Sequence, residues 1–200
     1  MATGLLALGD SYTIGEGVEA VATWPFRLAQ RLAMPRPDVV ARTGWSADEL
    51  LAALDDAPLA PPYALVTVLV GVNDQYRGRE VAEHLPHFNV LLSRAVAFAD
   101  GDPHRVLVVS IPDWGVTPFA ADDARGGAAI AARIDAYNAA QRELCALRDI
   151  AWVDVTAASR ACGADPAMLV GDGLHPSAAQ YAAWLETIAP AARRCLDRAG

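Results

Sequence analysis

Residues 5–11 read LLALGDS, a short apolar run that leads directly into a glycine, an aspartate and a serine. A run of this length, bounded by a turn residue, is typical of a buried β-strand. Comparable runs recur along the chain and alternate with longer segments of helical periodicity. The predicted strands are residues 5–8, 38–41, 65–70, 105–111 and 150–153. We therefore predict an α/β fold, a three-layer sandwich around a central parallel five-stranded sheet, with a flavodoxin-like strand order.

The segments between the strands carry helical patterns, which we place at residues 24–33, 46–54, 81–99, 128–147 and 177–196. Ser46 is the expected N-cap of the second helix, because Glu49 follows it at the spacing of a capping box. Pro86 is expected to kink the third helix or to delay its start. Residues 112–127, rich in proline, glycine and aspartate, are expected to form a loop, and residues 164–174 mostly so.

Length and charge exclude several classes of protein. The 200 residues suit one domain, and no internal repeat or linker divides them. With 16 basic against 24 acidic residues the net charge is −8, which disfavours nucleic acid and anionic membranes as partners. Every basic residue is an arginine, so the lysine of a phosphate-binding loop or of a pyridoxal Schiff base is missing. No apolar run is long enough for a transmembrane segment, and no pattern points to a particular oligomeric state.

The three cysteines, Cys145, Cys162 and Cys195, are odd in number and widely spaced, and they form no CxxC pair. This usage is typical of reduced thiols in a reducing compartment. We expect these cysteines to fill apolar space in the core. The alternative interpretation is that one of them is a catalytic nucleophile. No secretory leader is recognised at the start of the chain, so a cytoplasmic location is expected.

Polar residues follow the predicted strands at the points where those strands end. In parallel sheets, ligands bind outside these carboxyl ends. The segments in question are GDS at 9–11, TG at 43–44, GVND at 71–74, PDW at 112–114 and, after a further loop, DGLHP at 172–176. The residues best suited to catalysis therefore gather at one edge of the predicted sheet.

His175 is the strongest candidate for a general base. Asp172 lies three residues before it, close enough for a tight turn to bring the carboxylate to one imidazole nitrogen, which would fix the tautomer and stabilise the imidazolium. Pro176 can serve as the first residue of the last helix. His175 would then lie at the positive end of that helix, which favours the neutral ring that a base needs. The alternative is a surface histidine in a capping loop, but the other three histidines have no comparable neighbourhood.

Ser11, Gly44 and Asn73 could supply the other parts of a hydrolytic site. A serine directly after a strand can be exposed at the strand's end, and it becomes a strong nucleophile once a base takes its proton. A glycine lets its backbone N–H approach a substrate closely, and an asparagine amide can donate to a developing oxyanion. Each of these residues alone is more often a cap or turn residue. Together, after neighbouring strands, they favour a catalytic site.

Four sequence blocks, in this order, resemble those of the SGNH hydrolases, also called GDSL-type esterases and lipases. The blocks are GDSY at 9–12, the glycine at 44, GVND at 71–74 and DGLHP at 172–176. The first block has a tyrosine where the family's name has a leucine, a variation that the family tolerates. The resemblance implies a single SGNH hydrolase domain over residues 1–200. It implies Ser11 as the nucleophile, His175 with Asp172 as the proton-shuttling pair, and an oxyanion hole made by the Ser11 and Gly44 backbone N–H groups and the Asn73 side chain.

The resemblance also implies a reaction, acyl transfer through an acyl-serine, with no cofactor and no metal. Relatives act on short-chain esters, thioesters, lysophospholipids and acetylated sugars. The short chain leaves little room for a large lid, so we expect a small-molecule ester with a short acyl group as the substrate. Trp114 and Phe119, in the loop at residues 112–127, are candidate walls of the substrate site, and packing beneath the loop is an equal alternative.

Four other interpretations compete with this one. An α/β-hydrolase needs a GxSxG elbow, which is missing. Residues 15–20 fit the dinucleotide-binding pattern GxGxxA, but the predicted strand ends several residues too early. Asp10, Asp74 and Asp172 with His175 could hold a divalent ion for phosphoester hydrolysis. A non-catalytic binding module with the same fold is disfavoured by the intact set of candidate residues.

Overall fold

The strand that begins at residue 5 is an interior strand of a parallel sheet. A computed structural model describes residues 2–199. It contains one parallel sheet of five strands in the order β2-β1-β3-β4-β5, which confirms the predicted three-layer α/β fold and its flavodoxin-like strand order. The strands are β1 (Leu5–Gly9), β2 (Asp38–Ala41), β3 (Leu65–Leu69), β4 (Val106–Val109) and β5 (Ala151–Val153).

Eight α-helices connect and cover the strands in the described part of the chain. They are α1 (Ser11–Ile14), α2 (Trp24–Arg31), α3 (Ala47–Ala53), α4 (Val72–Tyr76), α5 (Val81–Phe98), α6 (Gly127–Leu147), α7 (Thr156–Cys162) and α8 (Ala178–Arg198). The five predicted helices correspond to α2, α3, α5, α6 and α8, with bounds shifted by one or two residues at most ends. The sequence did not predict α1, α4 and α7. These helices are only four to seven residues long, so they are too short to show a clear apolar periodicity.

Two expectations about prolines need correction. Pro86 lies inside α5, which begins at Val81, so the proline does not delay the start of the helix. Pro176 is not the first residue of α8, because Ser177 is the N-cap and its hydroxyl accepts hydrogen bonds from two backbone N–H groups of the first turn. A serine oxygen satisfies these free donors, whereas a proline has no side-chain acceptor to do so. His175 therefore lies two residues before the cap, outside the helix terminus.

The sheet separates two apolar layers. Alternate strand residues face opposite sides, so that Leu5 packs with α2 and α8 while Leu6 and Leu8 pack with α3 and α5. All residues of β1, β3 and β4 are buried, which explains why these strands are continuous apolar runs in the sequence. Between residues 2 and 199, none of the helices combines the length and the apolar character needed to cross a membrane.

Candidate active site

Ser11 is the first residue of α1, directly beyond the carboxyl end of β1. The preceding Asp10 caps this short helix, because its Oδ1 accepts the Tyr12 N–H at 3.0 Å. A Cβ on Gly9 would overlap the side chain of Thr13 and the carbonyl of Leu69, so only a glycine lets the chain turn this closely after the strand. The turn leaves Ser11 almost buried, with 4% of its surface exposed, at the wall of a cavity above the sheet.

His175 and Asp172 lie together in the loop before α8. Asp172 Oδ2 lies 2.6 Å from His175 Nδ1, while Oδ1 accepts the backbone N–H groups of Leu174 at 2.8 Å and of His175 at 3.0 Å. Partial burial acts to raise the pKa of Asp172, but the hydrogen bonds from His175 and Leu174 outweigh it and bring the pKa below its usual value. The ionised carboxylate accepts an Nδ1 proton, which leaves the Nε2 lone pair free to act as a base.

Two further contacts hold the histidine loop in place. The His175 carbonyl accepts the Val170 N–H at 2.9 Å, and Leu169 pairs with Pro176 in an antiparallel bridge. The Tyr12 ring packs against the imidazole, with 5.7 Å between the ring centroids. The ring is therefore fixed by its own loop and by the residue that follows Ser11.

Gly44 and Asn73 line the same cavity as Ser11 and His175. Gly44 has a left-handed backbone with φ of +88°, and a Cβ added there would meet open space. Asn73 lies in the first turn of α4, where its Nδ2 donates to the Trp45 carbonyl at 2.9 Å. This bond uses one of the two amide protons, so the other remains for a ligand.

The cavity has a volume of about 180 Å³. It brings together Ser11, Gly44, Asn73 and His175, while Asp172 stands behind the histidine and does not line it. Within residues 2–199, no direct hydrogen bond links the Ser11 hydroxyl to His175. Such bonds are often long in unliganded sites and tighten when substrate binds. The complete lining is Ser11, Tyr12, Thr43, Gly44, Val72, Asn73, Tyr76, Trp114, Phe119, Leu174 and His175.

Trp114 and Phe119 both line the cavity, but their environments differ. Trp114 is 2% exposed, and its Nε1 donates to Gln75 Oε1 at 2.9 Å, so it forms a wall and also packs in the core. Phe119 is 45% exposed at the rim. Tyr76 completes this aromatic wall. Its ring meets the Trp114 ring edge-on, with 5.4 Å between the ring centroids. The sequence did not point to Tyr76, although a helix after residue 71 would have placed it on the same face as Asn73, three residues earlier.

Arg125 braces this aromatic wall from a neighbouring loop. Its guanidinium lies 5.2 Å from the centroid of Tyr76 and 5.0 Å from that of Trp114. It donates to the Tyr76 carbonyl at 3.0 Å and binds the Asp123 carboxylate through two further N–H groups. The hydrogen bond to Arg125 lowers the pKa of Asp123 to about 2, so both groups stay charged and the arginine has a counter-ion.

The carboxylates proposed for a metal site do not converge. Asp10 is fully buried, and burial raises its pKa to about 8, so it is protonated at neutral pH. Asp74 accepts the Ala47 N–H at 2.9 Å and Arg79 Nη1 at 3.1 Å, so both its oxygens are engaged. Asp172 is committed to His175. In the part of the chain that the structure describes, no three His, Cys, Asp or Glu side chains are grouped to hold a metal ion.

The cysteines do not offer an alternative nucleophile at the cavity. All three are free, and burial raises the pKa of Cys145 to about 12 and that of Cys195 to about 11. A thiol must lose its proton to act as a nucleophile, so both groups are unreactive at neutral pH. Cys162 lies at the end of α7 and does not line the cavity.

The fold and the cavity together define a class of protein. Its sheet is doubly wound and parallel, and a serine follows the first strand while a histidine with an aspartate partner follows the last. Proteins of this class keep their reactive groups at the carboxyl edge of the sheet. The model of the GDSL-like lipase/acylhydrolase family matches residues 7–183, so the chain belongs to this family of hydrolases.

Solved structures of low sequence identity share the whole architecture. The structure of TesA has a TM-score of 0.73 and 23% identity, covering 96% of this chain and 99% of TesA. Phospholipase A1 from Streptomyces albidoflavus NA297 has a TM-score of 0.72 and 20% identity, with coverage of 96% and 99%. The psychrotrophic esterase EstA from Pseudoalteromonas has a TM-score of 0.71 and 14% identity, with coverage of 98% and 99%. A search of curated protein sequences finds no match. Similarity at this level of identity supports the fold.

Proposed function

We propose that this hydrolase cleaves carboxylic esters with small acyl groups by way of an acyl-serine intermediate. The observation that carries the proposal is the cavity in which Ser11 and His175 share a wall with Gly44 and Asn73. Acyl transfer needs three kinds of group around one cavity: a nucleophile, a base oriented by a carboxylate, and hydrogen-bond donors for the oxyanion. Membership of the GDSL-like lipase/acylhydrolase family supports the same class of reaction.

The proposed first step uses the proton on Ser11 Oγ. His175 Nε2 takes this proton while Oγ forms a bond to the ester carbonyl carbon, and the carbonyl oxygen becomes an oxyanion. Collapse of this intermediate breaks the bond to the leaving oxygen, which departs as an alcohol with the proton from His175. Water then attacks the acyl-serine by the same route and releases the acid. Asp172 stabilises the imidazolium in both halves of the reaction.

The proposed oxyanion hole consists of the Ser11 and Gly44 backbone N–H groups and the free proton of the Asn73 amide. Donors of this kind are effective because they are already in place when negative charge develops on the oxygen. The bond from Asn73 to the Trp45 carbonyl sets the plane of the amide before substrate arrives. Fixed donors of this kind would contribute mainly to kcat.

The cavity supports a small, uncharged substrate. An apolar cavity of roughly 150 Å³ holds a benzene molecule, so about 180 Å³ suits an acyl group of up to about six carbons. In the described part of the chain, the titratable side chains that line the cavity are His175, Tyr12 and Tyr76. Since it offers no arginine for a phosphate, we favour neutral short-chain esters over acyl-CoA thioesters and lysophospholipids.

The test combines covalent labelling with a chain-length series. A fluorophosphonate should add once to the wild-type protein and not to Ser11→Ala, as measured by intact mass, and Ser93→Ala on the exposed face of α5 is the matched control. The substrate preference is then ranked by comparing rates of hydrolysis for nitrophenyl esters with acyl groups of two to twelve carbons, an acetylated sugar, acyl-CoA and a lysophospholipid. Labelling of Ser11→Ala, or hydrolysis by it within tenfold of wild type, would overturn the proposal. A preference for acyl-CoA or a lysophospholipid would overturn the substrate class alone.

We also propose that the protein acts in a reducing, cytoplasmic compartment. The support is that Cys145, Cys162 and Cys195 are all free, a cysteine usage typical of compartments in which thiols stay reduced. Cell fractionation of the native source checks this, and recovery from an extracellular fraction would contradict it.

A further inference from the structure

Arg77 connects the two segments that carry Gly44 and Asn73. Its backbone N–H donates to the Asn73 carbonyl at 3.0 Å, and its side-chain Nη2 donates to the Gly44 carbonyl at 2.7 Å. Arg77 does not line the cavity. It therefore reaches both proposed oxyanion-hole residues from behind, through their main chains.

The guanidinium is held in one orientation by the segment that follows Gly44. Its Nη1 donates to Glu49 Oε2 at 2.9 Å and to Ser46 Oγ at 3.2 Å. Glu49 in turn accepts the Ser46 N–H at 2.9 Å as part of the capping box of α3. The backbone hydrogen bond from Ser46, together with Arg77, lowers the pKa of Glu49, so this carboxylate stays charged and anchors the arginine.

Gly44 is a residue that needs such an anchor. Its φ is +88°, and no heavy atom lies within 4 Å of the place where a side chain would be, so packing does not restrain it. Glycine samples more backbone conformations than any other residue. An oxyanion-hole donor, however, must lie within about 2.7–3.1 Å of the charged oxygen. Two bonds oppose this freedom, one from Arg77 to the Gly44 carbonyl and one from Asn73 to the Trp45 carbonyl.

We propose that Arg77 is a positioning residue of the oxyanion hole, which fixes the direction of the Gly44 N–H relative to Asn73. The inference rests on the proposed function, since it assigns a role in stabilising the oxyanion. A lysine in this place has a single nitrogen without the planar fork, so it cannot keep contacts to the Gly44 carbonyl and to Glu49 in the same geometry.

The chain offers a matched control at the other end of α3. Arg94 donates to the Asp55 carboxylate at 2.7 Å and to the Leu54 carbonyl at 3.3 Å, which is the same combination of a carboxylate and a backbone oxygen. The two arginine side chains are similarly exposed, 41% for Arg77 and 35% for Arg94. Arg94 lies away from the cavity, so its removal reports on bracing of α3 alone.

The experiment compares Arg77→Met, Arg77→Lys and Arg94→Met, with kcat and KM for a nitrophenyl ester expressed per active site by burst titration. We expect Arg77→Met to lower kcat about 10–100-fold, since a displacement of about 1 Å can reduce a rate about 100-fold. KM should change less than about twofold, because the ground-state ester gains little from these donors. The rate of inactivation by a fluorophosphonate, which passes through a similar tetrahedral geometry, should fall in parallel. Arg77→Lys should lie between Arg77→Met and wild type, and Arg94→Met should match wild type.

Two results would overturn the inference. The first is a kcat of Arg77→Met, or of Arg77→Lys if the methionine variant does not fold, equal to that of the wild-type enzyme. The second is an equal fall in kcat for both arginine sites, which would reflect α3 alone. In both cases an active wild-type enzyme that is labelled at Ser11 leaves the proposed function standing. A wild-type protein that is neither active nor labelled would instead remove the proposed function.

Discussion

The carboxylate of Asp172 binds His175 twice. Oδ2 lies 2.6 Å from the ring Nδ1, and Oδ1 accepts the backbone N–H of the same histidine at 3.0 Å. The first contact fixes the tautomer and the second fixes the turn that carries the ring. Because the two residues are only three positions apart, both of these contacts are made within one loop.

Asp172→Asn should lower kcat by about 10²–10⁴-fold. An amide can donate a proton to Nδ1, which favours the tautomer whose Nε2 is protonated and cannot act as a base. Asp165→Asn is a suitable control, because Asp165 accepts a backbone N–H two residues ahead in the same exposed loop but has no histidine partner. Steady-state kinetics provide the measurement. A variant at residue 172 that keeps a tenth or more of the wild-type kcat would argue against this role.

Asn73→Ala should lower kcat by about 10²–10³-fold, the usual result of losing one oxyanion-hole donor. KM should stay within a few-fold, because the donor acts chiefly on the developing charge. Loss of the bond to the Trp45 carbonyl should also lower the free energy of unfolding by about 1 kcal/mol. Urea denaturation separates the two effects. Asn89→Ala, on the exposed face of α5, serves as control, and an unchanged kcat in Asn73→Ala would exclude the proposed role.

Phe119→Ala should weaken the binding of longer acyl groups. Phe119 is 45% exposed at the rim, so only part of the ring can contact a substrate, and its removal should cost about 1 kcal/mol of binding. We expect KM for a hexanoyl ester to rise about 3–10-fold, with little change for an acetyl ester. Val21→Ala, which is 75% exposed, is the control. Equal changes for the two esters would mean that Phe119 does not contact the acyl group.

Asp10→Asn should remove a pH dependence of stability. Burial raises the pKa of Asp10 from its ordinary 3.8 to about 8. Between these values the folded protein binds a proton that the unfolded chain has released, so wild-type stability falls as the pH rises from about 4 to about 8. Asparagine keeps an acceptor for the Tyr12 N–H and has no charge to bury. Its free energy of unfolding should therefore rise relative to wild type over this range, by up to about 5 kcal/mol.

Urea denaturation of the wild-type protein and of Asp10→Asn at pH 5, 6.5 and 8 checks this expectation. Asp56→Asn, at an exposed position before β3, should keep a constant difference from wild type. A difference between Asp10→Asn and wild type that does not change with pH would show that Asp10 is already ionised in the folded protein.

Much of the fold was predictable because its signals are local. Buried parallel strands are apolar runs of a few residues. The start of α3 is marked by the capping box of Ser46 and Glu49, three positions apart. The site followed from the same logic, since residues directly after parallel strands must meet at one edge. Ser11, Gly44, Asn73 and His175 do share one cavity there. Short helices such as α4 and α7 were not predicted, because one or two helical turns are too short to show a periodic pattern of apolar residues.

The sequence by itself determined the buried strands, the long helices and the residues that line the carboxyl edge, because each of these depends on neighbours within a few positions. Only the tertiary structure decided the role of Trp114, which lines the cavity and is also buried in the core. It also placed Arg77 against the carbonyl of Gly44, 33 residues away, and enclosed Asp10 so fully that its carboxyl group keeps a proton. These properties arise from contacts between segments that are distant in the chain, and from the exclusion of water that such contacts produce.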